Sequence, residues 1–308
     1  MGKKVKKRKQ YRGAAKWFEY LLARGFISCL QRVPIGMSYR LGRGVGWLSW
    51  KLLKRRRCTV EKNLRIIYKH LEAQSQLPEL SLHDGVRETF MRIGANLLCG
   101  FSFKRLSEAK IQDHLIVEGV DVLDTALSQQ KGVIAVLSHM GPWEALAHLN
   151  RFSTLYGINA PFGAIYRRFN NDYLDDWFVG EREALGTRLF ESRHKFYGPA
   201  DFVRNGGILG VLSDQRASGG EAIEFFGHAV NGTPLPGLLH LRTKAPWLAV
   251  SLSTVGFCRW RMRFIPMSQL NDGDATNRKT LAVHCGDAVE TALSESIYDG
   301  FWFHNRFR

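Results

Sequence analysis

Short apolar runs alternate with amphipathic segments from Ile116 to the end of the chain. Four of the runs are uncharged or nearly so and rich in β-branched residues, which is typical of buried strands. The predicted strands cover residues 132–138, 207–214, 246–253 and 260–265, and the predicted helices cover residues 142–152, 172–185, 238–244 and 281–296. This alternation predicts an α/β fold with a central, mostly parallel sheet flanked by helices. Functional residues are then expected at the carboxyl ends of the strands.

The first third of the chain has a different pattern. Residues 58–112 show apolar residues at helical spacing, and residues 14–50 combine apolar, aromatic and basic residues. Arginines interrupt every apolar stretch here, so a membrane-spanning helix is disfavoured. A basic amphipathic helix with Trp and Phe is typical of an interfacial membrane element. The alternative is a helix packed on the core with a solvated basic face.

Charge separates the two parts of the chain. The protein has 44 Lys and Arg and 28 Asp and Glu, giving +16. Residues 1–57 contain 17 of the basic residues and one acidic residue, so the whole excess lies there. Each Lys or Arg near an anionic leaflet contributes about 1 kcal/mol of attraction. The sequence therefore predicts a basic, amphipathic, membrane-associating segment over residues 1–57 and an α/β domain over residues 58–308.

The five cysteines are scattered and form no Cys-x-x-Cys pair. This pattern disfavours a disulfide framework or a zinc site and indicates a reducing compartment. The sequence also lacks a Gly-rich phosphate loop, which disfavours nucleotide chemistry.

The segment that follows the first predicted strand carries the clearest chemical signal. It begins with His139 and ends with Glu144, with Gly141 and Pro142 between them to stop the strand and start a helix. An imidazole beside a carboxylate that is held ionised by a helix N-terminus is a general-base arrangement. The structural alternative is that Glu144 caps the helix and His139 is a hydrogen-bonded loop residue.

Polar residues also follow other apolar runs. Arg167 lies in a dense cluster of charged and amide side chains over residues 166–175, where it can stabilise an oxyanion or hold a phosphate. A surface salt-bridge cluster is the alternative. Asp214 and Gln215 end a strand at the same predicted sheet edge as His139, or else form a polar turn. Phe225 and Phe226 belong to a short aromatic strand expected to line an apolar space.

Taken in order, these motifs resemble the late acyltransferases of lipid A biosynthesis, the lauroyl/myristoyl transferase family. That family has a His-x4-Asp/Glu pair after an apolar strand and a Tyr-Arg-Pro-x-x-Asn-Pro-x-Leu-Asp stretch. The matching positions are His139, Glu144, Tyr166, Arg167, Asn171, Leu174 and Asp175, followed by Asp214-Gln215, Phe225-Phe226-Gly227, Lys244-Ala245-Pro246 and the aromatic terminus 301–308. Arg168 and Asp172 replace the two prolines. The resemblance covers nearly the whole chain.

The resemblance implies an O-acyltransferase that moves a fatty acyl chain from an acyl carrier protein thioester to a hydroxyl of a lipid A precursor. It implies no metal and no cofactor, and a location at the cytoplasmic face of the inner membrane. His139 would be the general base, with Glu144 orienting it and Arg167 or backbone amides near Pro142 receiving the oxyanion. The expected substrate-binding residues are Trp143, Asn171, Asp175, Asp214, Gln215, Phe225 and Phe226.

Two other functions remain open from the sequence. The same chemistry can act on another membrane glycolipid, such as a mannosylated phosphoinositide, because pocket shape decides the acceptor. A non-enzymatic protein that uses the basic segment on a membrane or a nucleic acid is the third reading. The neutral body and the absence of a nucleic-acid-binding motif argue against a nucleic-acid partner.

Overall fold

Helices form the first third of the protein, and a sheet flanked by helices forms the rest. The computed structural model describes residues 11–192, 197–268 and 277–308. Its α-helices are α1 Ala14–Leu30, α2 Ile35–Leu52, α3 Lys54–Ala73, α4 Leu82–Ser102, α5 Glu108–His114, α6 Val120–Leu127, α7 Leu149–Phe152, α8 Asp172–Glu183, α9 Tyr197–Arg204, α10 Leu235–Thr243 and α11 Arg278–Ser294. Its strands are β1 Leu115–Glu118, β2 Val133–Leu137, β3 Phe162–Tyr166, β4 Arg188–Glu191, β5 Ile208–Leu212, β6 Glu221–Phe225, β7 His228–Gly232, β8 Trp247–Gly256 and β9 Arg259–Pro266.

The main sheet has seven strands in the order β1-β9-β8-β2-β5-β3-β4. The five strands from β8 to β4 are mutually parallel, whereas β9 runs antiparallel to β8 and parallel to β1. Strands β6 and β7 form a separate antiparallel ribbon. The prediction of a mostly parallel central sheet flanked by helices is confirmed, and the four predicted strands correspond to β2, β5, β8 and β9.

Central strands are buried on both faces because helices cover the sheet. Residues 133–136 of β2 and 208–211 of β5 are all buried. Two apolar layers therefore sandwich these strands, which explains why they read as continuous apolar runs. The carboxyl ends of β2, β5 and β3 lie side by side at one sheet edge, and this edge carries the candidate site.

Helices α2 and α4 pack with their backbones in contact. A Cβ added at Gly46 would lie 2.2 Å from the Phe90 carbonyl oxygen, and one at Gly42 would lie 2.5 Å from that of Gly94. Only glycine fits such an approach. This packing uses the small-residue face of α2 and leaves an apolar stripe on another face. The stripe consists of Met37, Leu41, Val45, Leu48 and Leu52, each at least half exposed.

Three predictions from the sequence concern the helical part of the chain. None of the helices in the described ranges is long and apolar enough to cross a bilayer. The predicted boundary between residues 57 and 58 falls inside α3. Residues 1–10, which hold the first basic block, lie outside the described residues.

The predicted helix at 142–152 differs from the observed structure. Pro142 precedes a 3-10 segment, Trp143–His148, which leads into the four-residue helix α7. The backbone of Pro142 has ψ 58°, so it does not start an α-helix at its own position. Strands β1 and β4 were not predicted, because each has only four residues and ends in a charged one.

Candidate active site

A tight turn after β2 positions His139. Gly141 adopts φ 56°, and a Cβ there would lie 2.1 Å from the Leu252 carbonyl oxygen, so the turn requires glycine. The C-terminal segment clamps the turn from the other side. The amide of Gly141 donates to the Asp299 carbonyl at 3.2 Å, and the amide of Phe301 donates to the His139 carbonyl at 2.9 Å. The backbone of His139 is thus fixed by a segment more than 150 residues away in sequence.

His139 and Asp214 form the central polar pair of the site. Leu137 and Leu212 are paired in register on adjacent strands, and the two polar residues lie two positions beyond them. The Nδ1 atom of His139 lies 2.8 Å from Oδ1 of Asp214. Both side chains are mostly buried. The sequence placed both residues at one sheet edge but did not pair them, since their separation along the chain is 75 residues.

The surroundings of His139 favour its protonated form. Burial of the imidazole opposes protonation, but the charge and hydrogen bond of Asp214, with the charge of Glu144, outweigh it. The pKa of His139 is therefore raised above its ordinary value. A hydrogen bond from Nδ1 to a carboxylate fixes the tautomer, so Nε2 is the basic nitrogen.

Glu144, which was predicted to orient the His139 ring, has its ion pair with another residue. Its carboxylate forms an ion pair with Arg182 of α8, with Nη2 and Oε2 2.5 Å apart. Asp214 occupies the orienting position instead, because the 3-10 turn after Pro142 directs Glu144 toward α8. The Arg182 guanidinium also lies 4.8 Å from the centre of the Phe178 ring. Glu144 remains near the imidazole, whose pKa its charge helps to raise.

A largely apolar cavity of about 500 Å³ opens beside this pair. Its floor crosses the middle of the sheet, where Ala135 of β2, Gly210 of β5 and Ala164 of β3 are in register. Three small residues in a row on adjacent strands leave a trough across the strands. Adjacent strands are about 4.8 Å apart, so these three span roughly 10 Å. Branched and aromatic side chains form the rest of the lining, including Leu137, Ile165, Leu189, Val250 and Phe264.

Aromatic rings border the polar end of this cavity. Trp143 meets the His139 ring edge to face, with centroids 5.7 Å apart, and Phe301 lies at 6.2 Å from the same ring. Trp143 also lines the cavity, as predicted for an apolar groove. Gln215 lines it as well, and its carbonyl accepts a hydrogen bond from Arg306.

The loop after β3 places Arg167 in the cavity lining. Its neighbour Arg168 forms ion pairs with Asp172 and with Asp175. Arg168 and Asp172 stand where the family pattern has its two prolines. Here the two replacing side chains bond to each other, so an ion pair constrains the loop that prolines would otherwise stiffen.

Asn171 and Asp175, which were predicted to bind substrate, make structural contacts in this fold. Asn171 caps α8 by accepting from the Tyr173 amide at 3.1 Å, and it donates to the Lys16 carbonyl of α1 at 2.8 Å. Asp175 accepts from the Phe169 amide at 3.0 Å. Both side chains are buried, and neither lines the cavity. They fold the Arg167 loop and attach α1 to it.

Phe225 and Phe226, which were predicted to line an apolar space, do not line the cavity beside His139. Both rings are fully or almost fully buried in the core. Phe225 packs on Phe307, and Phe226 packs on Trp302. The β6–β7 ribbon lies outside the main sheet, so its aromatic residues fill the space between the ribbon and the C-terminal segment.

The sequence analysis missed three polar residues around the site. Arg182 pairs with Glu144, and Asp299 supports the segment that clamps His139. Arg306 is buried and donates to the carbonyls of Gln215 and Asn231; burial lowers its pKa, and the charge of Asp214 opposes that shift. Only Arg306 lay within a noted motif, the aromatic C-terminus. Arg182 and Asp299 lie in segments without any distinctive pattern.

Comparison with known proteins identifies the family of this chain. The profile of the family described as "Bacterial lipid A biosynthesis acyltransferase" matches residues 4–308. The "Lipid A biosynthesis palmitoleoyltransferase" of Escherichia coli (strain K12) is 22% identical over 283 residues, which cover 90% of this chain and 87% of that protein. A "Lipid A biosynthesis acyltransferase" of Shigella flexneri matches with the same identity and coverage.

A third relative is named for a different acceptor. The "Phosphatidylinositol mannoside acyltransferase" of Mycolicibacterium smegmatis (strain ATCC 700084 / mc(2)155) is 24% identical over 181 residues, which cover 57% of this chain and 58% of that protein. The family profile, in contrast, extends over nearly the whole chain. The protein therefore belongs to the bacterial lipid A biosynthesis acyltransferase family.

Proposed function

We propose that this O-acyltransferase moves a fatty acyl chain from the thioester of acyl carrier protein to a hydroxyl of a lipid A precursor. One observation carries the proposal: the hydrogen-bonded pair His139–Asp214 stands at the polar end of an apolar cavity of about 500 Å³. A base next to an apolar cavity suits a reaction in which a hydroxyl attacks the carbonyl at the head of an acyl chain. Family membership and the names of the relatives support the same chemistry.

In this mechanism Nε2 of His139 takes the proton of the acceptor hydroxyl as its oxygen attacks the thioester carbon. Asp214 holds the ring in the correct tautomer and stabilises the imidazolium, as the acid of a catalytic triad does. The carbon–sulfur bond then breaks, and the sulfur leaves with the proton that His139 carried. No nucleophilic Ser or Cys is needed, since the hydroxyl attacks directly.

The oxyanion of the tetrahedral intermediate needs hydrogen-bond donors. Arg167 lines the same cavity as His139 and is the candidate side chain. The backbone amides of Trp143 and Glu144 are a second candidate, because the first amides of a helical segment have no acceptor within it. Glu144 and Arg182 line the same cavity as a charged pair.

The acyl chain would occupy the trough over Ala135, Gly210 and Ala164. Burying a methylene contributes about 0.8 kcal/mol, so a chain of a dozen carbons gains on the order of 10 kcal/mol from a matched cavity. The closed end of such a cavity measures chain length. Acyl carrier protein is the proposed donor because it presents its acyl chain as a thioester and is acidic, whereas residues 1–57 of this protein carry all of its excess positive charge.

The acceptor is a lipid, so we also propose that α1 and α2 lie on a membrane at the cytoplasmic face of the inner membrane. Helix α1 also has exposed apolar residues at helical spacing: Phe18, Leu22 and Phe26 are each 60% exposed. Isolated exposed apolar residues are ordinary, but two consecutive helices with such stripes indicate an interaction surface. Arg24 lies on α1, Arg40 lies on α2, and Arg32 lies in the turn between the two helices. Apolar stripes with basic neighbours are the pattern of interfacial helices.

A mannosylated phosphoinositide is the second candidate acceptor. The match to the mycobacterial relative favours it, although that match covers 57% of the chain. Both candidates require the same base, cavity and membrane contact, so they differ only in the acceptor pocket.

Mass spectrometry of total lipids after expression in a host that lacks its own late acyltransferase tests the proposal. We expect one added acyl chain on a lipid A precursor, with a mass increment that reports chain length. His139→Ala should abolish the increment while leaving thermal unfolding unchanged. An increment on phosphoinositide mannosides alone would favour the second acceptor. Unchanged lipids with the wild-type protein would overturn both.

A further inference from the structure

A second concave site lies on the N-terminal turns of α3. This open depression has a volume of about 630 Å³, and its lining consists of Lys54, Arg55, Cys58, Thr59, Lys62 and Asn305. These six residues are called the α3 cleft here. Three of the six are cations, and the others offer a thiol, a hydroxyl and an amide. The α3 cleft shares no residue with the cavity beside His139.

No carboxylate in the described part of the chain neutralises the cations of the α3 cleft. Among the described residues, no ion pair involves Lys54, Arg55 or Lys62; the Lys62 ammonium reaches only the Phe307 carbonyl, at 3.4 Å. Glu61, the nearest carboxylate along α3, is already paired with Arg65. The helix begins without a capping side chain and without an acidic residue in its first turn, so its dipole adds to the positive potential. A small group with several negative oxygens is the ligand that such a set of donors fits.

The position of the α3 cleft indicates where that group comes from. The exposed apolar stripe of α2 ends at Leu52, two residues before Lys54, and Leu53 between them is also exposed. If the stripe enters the apolar layer of a membrane, the α3 cleft lies at the depth of the headgroups.

The α3 cleft is also close to the reacting centre. Asn63 of α3 donates to the carbonyls of Trp302 and His304, at 2.9 and 2.8 Å, and so holds the C-terminal segment against α3. That segment contributes Asn305 to the cleft and Phe301 to the clamp on His139. The four residues from Phe301 to Asn305 span at most about 14 Å. One lipid headgroup can therefore reach from the cleft to the catalytic loop.

We propose that the α3 cleft binds a phosphate group of a lipid. Guanidinium and ammonium groups together recognise phosphate through charge-assisted hydrogen bonds. Two sources carry this chemistry: a phosphate on the glycolipid acceptor and the phosphodiester of bulk phospholipid. The acceptor source rests on the proposed function, whereas the phospholipid source does not.

Binding to vesicles tests the α3 cleft independently of catalysis. The cleft variant is Arg55→Gln/Lys62→Gln, and the matched control is Lys69→Gln/Lys110→Gln, which removes the same charge from exposed positions outside the cleft. On phosphatidylcholine vesicles that contain phosphatidylglycerol, we expect the cleft variant to bind about tenfold more weakly than the control at low salt. Both variants should bind pure phosphatidylcholine equally, and both should unfold at the wild-type temperature.

Cys58 provides a direct probe of occupancy. Of the five cysteines, only Cys29 and Cys58 are exposed, so a Cys29→Ser background leaves Cys58 as the accessible thiol. Maleimide labelling of Cys58 should slow when phosphatidylglycerol is present and should not change when only phosphatidylcholine is added at the same lipid concentration. Equal protection by both lipids would mean shielding by the membrane and not occupation of the α3 cleft.

Kinetics separates the two sources. Activity is measured in neutral-detergent micelles with a phosphorylated acceptor. If the acceptor supplies the phosphate, the cleft variant should show a KM for that acceptor about tenfold higher than the control, at unchanged kcat. The KM for the same acceptor without that phosphate should be equal in the two variants. An effect on vesicles alone assigns the site to bulk phospholipid. The proposal is overturned if cleft and control variants behave alike in every assay, or if only KM for the acyl donor changes. If the wild-type protein shows no turnover, the proposed function fails. The vesicle and labelling results then still decide whether the α3 cleft binds lipid phosphate.

Discussion

The imidazole of His139 is hydrogen-bonded to Asp214, the residue two positions past the end of the neighbouring strand, with Nδ1 and Oδ1 2.8 Å apart. Glu144, only five residues from His139 in sequence, pairs with Arg182 instead. The site therefore has two polar pairs beside one cavity, and only one of them is hydrogen-bonded to the ring. This arrangement separates the contributions of the two carboxylates in the experiments below.

Replacing Asp214 with Asn tests the orienting role. The amide keeps the shape but removes the charge, so it can hold the wrong tautomer and cannot stabilise the imidazolium. We expect kcat/KM to fall roughly 10²- to 10⁴-fold, within the range known for triad acids and general bases.

The pH dependence of the Asp214→Asn variant has a definite sign. The active form of a base is unprotonated, so wild-type activity should rise with pH as His139 loses its proton at its raised pKa. Loss of the Asp214 charge removes a cause of that raised pKa. The acid limb of the kcat/KM profile should then move to lower pH, even though the plateau is lower. A limb that stays in place would mean that another group controls it.

Glu144→Gln should affect the enzyme less than Asp214→Asn. Its charge contributes to the raised pKa of His139 without a hydrogen bond to the ring, so the acid limb should move in the same direction by a smaller amount. The rate should drop by less than about tenfold unless Glu144 contacts substrate directly. A loss as large as that of Asp214→Asn would show that Glu144 takes part in the chemistry, as the sequence motif suggested.

The strand positions were predictable because buried parallel strands are short apolar runs with polar residues immediately after them. His139, Arg167 and Asp214 were found in this way. Which carboxylate pairs with His139 was not predictable, since strand order decides it: β5 lies beside β2 although β3 and β4 lie between them in sequence. Asn171 and Asp175 matched the family motif, but a motif does not distinguish a residue that folds a loop from one that binds substrate.

The size of the residue at position 210 should set the acyl length. A Cβ on Gly210 would lie 2.8 Å from Cδ1 of Leu137, the movable end of another cavity-lining side chain. Gly210→Val should therefore fill part of the trough and favour shorter chains, with each excluded methylene costing about fourfold in kcat/KM.

A matched control for Gly210→Val is Ala249→Val, which enlarges a buried residue of β8 that does not line the cavity. This control should lower stability without changing the preferred acyl length. Competition between acyl donors of different length, read by mass spectrometry, measures the preference. Equal length preference in Gly210→Val and wild type would place the chain elsewhere.

Asp299 links stability to the catalytic loop, since its carbonyl accepts from Gly141 while its carboxylate is fully buried. That carboxylate accepts hydrogen bonds from Arg92 at 3.0 Å, Asn96 at 2.8 Å and the Thr254 amide at 2.8 Å. Asp299→Asn removes one of the two carboxylate partners of the part-buried Arg92, leaving Glu88, and turns an amide group toward existing donors. Breaking such a pair typically costs about 3–5 kcal/mol.

We therefore expect urea denaturation of Asp299→Asn to show a free energy of unfolding lower by about 3 kcal/mol or more. The comparison variant is Glu295→Gln, which breaks the more exposed ion pair with Arg263 and should cost less than about 1 kcal/mol. At temperatures where Asp299→Asn remains folded, kcat should still be reduced, because Phe301 and Asp299 fix the backbone on which His139 stands. Wild-type stability together with wild-type kcat would show that the Asp299 cluster does not hold the catalytic loop.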